Sequence, residues 1–296
     1  DLIGLFGTTN NKLLFTAAPG LTGGAVAATN GLLARITTNG NEFATYNTTG
    51  LATNAFGLQP FAGYSVAANI LSAPANATYK AQYNTANSLT GNQTINALAL
   101  TSSVSGSVNV GGLSGLNPTT LTVTSGGILA NGTGTTSRLS VPIVSFAATE
   151  AYLHVASGQT LEIDSGLMGT NTLNKSLPGT LNFNRQQFTQ GMLIINGGTV
   201  NLGSTTLTVG SGTTSGAITG ASGALTVTGA LALNGSNTYG GVTSISTGGD
   251  LRVNGTNSGA GAVNIASGAK LGGSGSVIGG INVSGILAPG NSIESL

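Results

Sequence analysis

Seven segments of this 296-residue chain carry one pattern: an apolar-x-apolar stretch, two or three small residues that usually include Gly, then a second short apolar-x-apolar stretch. The copies are LTVTSGGILANG (Leu121 to Gly132), LHVASGQTLEIDSG (Leu153 to Gly166), LIINGGTVNLGS (Leu193 to Ser204) and LTVTGALALNGS (Leu225 to Ser236), followed by VTSISTGGDLRVNG (Val242 to Gly255), VNIASGAKLGGSG (Val263 to Gly275) and INVSGILAPGNS (Ile281 to Ser292). Equivalent apolar residues fall at Val209, Val227, Ile245, Ile265 and Val283, steps of 18, 18, 20 and 18 residues. A fixed period of this length is the signature of a solenoid turn.

Within each copy Val, Ile and Leu alternate with Thr, Ser and Asn, as a half-buried strand requires. The Gly-rich breaks read as corners, where positive φ or close backbone approach is needed. Thr, Asn, Ser and Gly are weak helix formers, so almost no helix is expected; LLARI (Leu32 to Ile36) is the one candidate for a helical turn. A single rung cannot bury its own apolar side. Rungs must therefore stack, each strand pairing in parallel with its equivalent about 4.8 Å above, which makes the fold all-β. Without insertions the chain would make on the order of 14 rungs. A thin interior suits aliphatic residues better than large rings. Trp is absent, and nine of the 14 aromatic residues lie before residue 90.

Composition narrows the function. Only 15 side chains carry charge and the net charge is +1, so no basic patch exists to neutralise nucleic-acid phosphates or dock on a membrane. No apolar run is long enough to cross a bilayer as a helix. The lack of Cys excludes disulfides, thiolate metal sites and cysteine nucleophiles. The chain opens on Asp1 with no signal-like region and reads as a processed or excised segment. Gly, Thr, Asn and Ser make up half of it, and a surface with so little charge favours self-contact.

At LALNGSNTYGGVTSISTGGDLRVNG (Leu231 to Gly255) the chain resembles the autotransporter-associated β-strand repeat of large bacterial surface proteins. ASGAKLGGSGSVIGGINVSGILAPGNS (Ala266 to Ser292) is similar to that family's usual ending. The resemblance covers roughly residues 120–292; Val242 stands where the family often has Thr, and the copy near NKSLPGTLNFN (Asn174 to Asn184) is degenerate. It implies a right-handed parallel β-helix, secreted and displayed or assembled outside the cell, and brings no catalytic residues.

Chemistry-bearing residues are few. The only His, His154, lies near Glu150, Glu162 and Asp164 in sequence, and Glu162 and Asp164 share an outward face. Paired carboxylates serve glycoside cleavage or Ca²⁺ binding, but polar residues at exposed strand positions are the simpler reading. Asp250 and Arg252 form an exposed outward pair of little energetic weight. A lone His among 29 serines, with no G-x-S-x-G elbow paired to it, does not make a triad, and GGSGSVIGG (Gly272 to Gly280) lacks the helix that a dinucleotide loop needs. Catalytic residues, metal ligands and cofactors are therefore not assigned.

The expected organisation is an aromatic-containing β-rich region over 1–95 serving as cap or assembly element, coil repeats over 96–292 and an open end over 293–296. The ends suggest head-to-tail association with other copies through Leu2, Ile3, Leu5, Phe6, Leu13, Leu14 and Phe15 at one end and Ile293 and Leu296 at the other. The expected role is an extracellular structural subunit of a self-assembling bacterial surface fibre or matrix. An adhesin binding surface glycans or proteins is the alternative, and a polysaccharide-degrading enzyme ranks third.

Overall fold

The computed structural model describes residues 14–23, 31–47, 57–66, 69–75, 77–82, 87–104, 106–147, 150–169 and 172–290. Nearly all regular structure among them is β, and the strands stack in parallel into a β-solenoid of about ten turns. Each turn contributes a strand to face A, then face B, then face C. The first turn uses Thr78–Gln82, Ser88–Leu89 and Gln93–Ile95; the tenth uses Lys270–Gly273, Ser276–Val277 and Ile281–Val283. Two long strands, Gln187–Ile195 and Thr206–Thr214, run from face C of one turn into face A of the next, which joins those faces into one 15-stranded sheet.

The register follows the periodicity. Val209 pairs with Val227, Val227 with Ile245, Ile245 with Ile265, and Ile265 with Val283. On face A the inward row runs Tyr79, Leu98, Ile128, Leu153, Lys175, Ile195, Thr214, Leu233 and Val253. Each fully buried Leu, Ile or Val in such a row contributes about 1.5–3 kcal/mol. The core is one continuous cluster along the whole coil.

There are fewer turns than the period alone predicts, chiefly because the parallel stack begins only at Thr78 and to a lesser degree because the early turns are long. Steps along that row are 30, 25 and 22 residues between Leu98 and Lys175, and 19 or 20 beyond it. The repeat also conceals two kinds of corner. Five copies bridge face C to face A, whereas those at Leu153 to Gly166 and Leu193 to Ser204 bridge face A to face B.

The parallel stack begins at Thr78. Ahead of it, β1 (Leu33–Thr38), β2 (Glu42–Asn47) and β3 (Gly57–Pro60) form an antiparallel sheet. LLARI is thus strand rather than helix. β-branched Ile36, Thr37 and Thr38 extend the chain, and Asn39 and Gly40, both at positive φ (54° and 66°), reverse it into a hairpin. The only helical turn among the described residues is Ile70–Ser72, capped by the Asn69 side chain accepting from Leu71 N at 2.9 Å.

This sheet lies along the flank of the coil. Leu32, Ala34, Phe43 and Phe61 pack against Ala97, Ala99, Leu129 and Tyr152, outward residues of face A in turns 2 to 4. The strands ALALTS and GILANG carry apolar residues on both sides because both sides are covered, and AYLHV turns Tyr152 and His154 to the sheet.

Candidate functional site

The seam between the flank sheet and the coil brings together His154, Arg35, Glu150, Glu42 and Lys80. His154, outward on Ala151–Val155, is buried beneath β1 at 4% exposure. Its Nε2 lies 2.8 Å from the Ala34 carbonyl oxygen and its Nδ1 2.5 Å from Ser176 Oγ in the next turn. A carbonyl only accepts, so Nε2 carries the proton and Nδ1 accepts from the Ser176 hydroxyl. Phe43 meets the imidazole edge-on at 5.9 Å and Tyr152 stacks near it at 6.5 Å. Burial pulls the imidazole pKa from 6.5 down to about 4, the hydrogen bond to Ala34 opposing only in part. His154 is a neutral bridge between β1 and two coil turns.

At the rim, Arg35 of β1 pairs with Glu150 at 3.2 Å and stands 5.3 Å over the Tyr152 ring, whose hydroxyl donates to Glu150. These residues border a cleft of about 280 Å³ floored by Leu32, Ala34 and Ile36. Its hydroxyls are turned inward: Thr22 donates to Leu32 O, Thr124 to Ile95 O and Ser125 to Asn96 O. The cleft therefore shows closure between sheet and coil rather than polar groups aimed at a ligand.

Glu162 and Asp164 lie elsewhere, on and just after the face B strand Thr160–Ile163. Arg138, one turn below, pairs with Asp164 and stands 3.8 Å from Glu162; Asn184, one turn above, donates to Asp164 at 2.8 Å. The structure thus separates His154 from Glu162 and Asp164, while Glu150 stays at the rim of the same seam. No cluster of three His, Asp or Glu able to hold a metal ion occurs among the described residues. Asp250 and Arg252 pair at 3.7 Å on the outer side of face A.

The least expected residue is Lys175. It occupies an inward position on face A, fully buried between Leu153 and Ile195. Its ammonium donates to the carbonyls of Ser176, Leu177 and Gly197 at 3.1, 2.6 and 3.0 Å. Leu177 adopts φ 69°, a left-handed conformation costly for a residue with a Cβ, within the corner whose carbonyls receive the ammonium. Desolvation lowers the Lys175 pKa from 10.5 to about 7. Alignment of the copies reveals it: Lys175 falls where Leu153, Ile195, Leu233 and Val253 stand, in the segment that reads as degenerate.

Amide side chains do the same at other corners. Gln159 donates to Gly132 O and Gly134 O and accepts from Ser102 Oγ at 2.9 Å. Gln187 donates to Ser165 O at 2.8 Å and accepts from Leu167 N. Irregular corners leave carbonyls facing the core, and a buried polar side chain satisfies them.

The two ends of the stack differ. At the first turn Ser65 N donates to Thr78 O and Lys80 N to Ser65 O, while buried Ile70 and Ala73 join the core. At the last described turn Ile281, Val283, Ile286 and Leu287 are exposed. Of the residues expected at an assembly contact, Phe15 packs edge-on against Tyr46 of β2 at 5.4 Å and Leu14 is exposed beside it in sequence. Leu2, Ile3, Leu5, Phe6, Leu13, Ile293 and Leu296 lie outside the described residues. No protein-family model, curated protein or solved structure matches the chain.

Proposed function

We propose that this chain is a structural segment of an extracellular surface fibre or matrix, in which β-solenoids extend end to end by adding copies. One observation carries the reading. Val283 sits one turn above Ile265 and Leu287 one turn above Leu271, yet exposure jumps from 2% to 51% and from 3% to 44%. This rung presents a strand edge and an apolar row; a following rung of the same chain would cover both, and an apolar-x-apolar strand supplied by another copy completes them in the same way.

The first turn does not offer a matching bare edge, since Ser65 and Ile70 occupy it. The donor is therefore the next copy's segment ahead of Leu14, whose Leu2, Ile3, Leu5, Phe6 and Leu13 carry the apolar pattern. The near-absence of charge supports close association, and the resemblance to surface-protein repeats supports an extracellular setting.

Negative-stain microscopy tests this. Purified protein should form uniform fibres, and the double variant Val283→Lys, Leu287→Lys should remain as short rods with an unchanged thermal midpoint. Removal of residues 1–13 should have the same effect. Monodisperse rods from the unmodified protein overturn the reading and favour an adhesin that binds glycans or proteins through its polar faces.

A further inference from the structure

Beside the ion pairs Arg35–Glu150 and Glu42–Lys80 and the Asn131 amide donating to Asn41 O, one contact between the flank sheet and the coil is made by a neutral imidazole. His154 is the residue through which the β1 backbone, at Ala34, is hydrogen-bonded to turns 4 and 5 of the coil. Around that contact the surfaces are apolar: Phe43, Ala34 and Leu32 on the sheet, and Ala97, Ala99, Leu129 and Tyr152 on the coil. We propose that His154 is a proton-operated latch: protonation frees the antiparallel sheet of β1 to β3 from the coil flank while the coil stays folded.

The surroundings explain why a proton is not tolerated there. On β1 the charged residue is Arg35, engaged with Glu150 at the rim. On β2 it is Glu42, engaged with Lys80 at 3.3 Å, and Lys80 also stands 4.7 Å over the Tyr64 ring. In the next coil turn Lys175 points inward and adds a further positive charge that opposes protonation. The hydrogen bonds of His154 go to Ala34 and Ser176, so neither carboxylate is placed to compensate an imidazolium. A charged ring in this apolar seam is relieved only by admitting water, which means separating sheet from coil.

The sign follows from linkage. His154 binds its proton more weakly when docked (about 4) than when free in solution (6.5). Its contribution to docking is therefore complete above pH 6.5 and is lost as the pH falls towards 4. Lys175, held near 7, is already protonated through most of this window and adds little slope to it. Opening bares the apolar strip of Ala97, Ala99, Leu129 and Tyr152.

Hydrogen–deuterium exchange on the whole protein at pH 7.0, 5.5 and 4.5, corrected for intrinsic rates, tests the latch. Amides of Leu33–Asn47 should open more readily by up to about tenfold per pH unit below 6.5, with amides beyond residue 193 unaffected. In His154→Gln, whose amide can still donate to Ala34 and accept from Ser176, the pH-dependent rise should vanish. A rise that persists in His154→Gln, or a flank sheet equally protected at pH 4.5 and 7.0, overturns the proposal. Should the variant not fold, NMR titration of the chain's single imidazole in the unmodified protein decides. A midpoint well below 6.5 that coincides with loss of sheet protection supports the latch, and a midpoint near 6.5 with the sheet still protected overturns it.

Discussion

Lys175 stands directly above Leu153 in the inward row of face A, an ammonium stacked on an isobutyl group with no carboxylate among its hydrogen-bond partners. Because the folded pKa is near 7 and the unfolded one near 10.5, the unfolded chain binds the proton more tightly between those values. Stability should rise with pH across that window by up to about 1.4 kcal/mol per unit. Lys175→Met should abolish this slope, which urea midpoints at pH 6, 8 and 10 would show. A parallel pH dependence in variant and parent would mean that Lys175 is not its source.

Thr214 is the other polar residue in that row, buried between Ile195 and Leu233, and its hydroxyl has no hydrogen-bond partner. Thr214→Val removes an unsatisfied buried group at nearly constant shape, and should raise stability by about 1 kcal/mol. A lower thermal midpoint would show that the hydroxyl has a partner after all.

Gly212 lies on face A at φ 145°, where an added Cβ would stand 1.9 Å from the Leu193 carbonyl oxygen of the turn below. Backbone cannot move aside as a flexible side chain can, so Gly212→Ala should cost about 3 kcal/mol or more. Gly248, at φ 82° with open space around its Cβ direction, is the control: alanine there should cost about 1 kcal/mol, from backbone conformation alone.

Glu162 and Asp164 should behave as a partly exposed ion-pair group with Arg138. The double variant Glu162→Gln, Asp164→Asn should change stability by less than about 1 kcal/mol, and by less still at high salt. Neither parent nor variant should release reducing ends from a polysaccharide panel. Release by the parent that the variant loses would instead identify a carboxylate enzyme.

Sequence alone discloses the stacked coil because Val209, Val227, Ile245, Ile265 and Val283 recur at nearly constant spacing and pair in that register. It hides which corner a copy spans, since Gly- and Ser-rich breaks serve the A-to-B and C-to-A corners alike. The flank sheet is legible in retrospect from two signals: the Asn39-Gly40 hairpin turn, and runs such as ALALTS in which the outward residues Ala97 and Ala99 are apolar too. His154 is conspicuous in sequence, but its partners Ala34 and Ser176 are not, because long-range packing rather than local spacing brings them together.

The covered first turn gives the stack a direction in time as well as in space. A turn inside the coil is held by two neighbours, and the first is covered on its outer side by Ser65 and Ile70. Unfolding that enters this stretch from the far side therefore works back towards Ile70, each loss uncovering a fresh rung like the one just removed. Refolding runs the other way, every rung laid on a finished template, so the coil regrows without a new nucleation step.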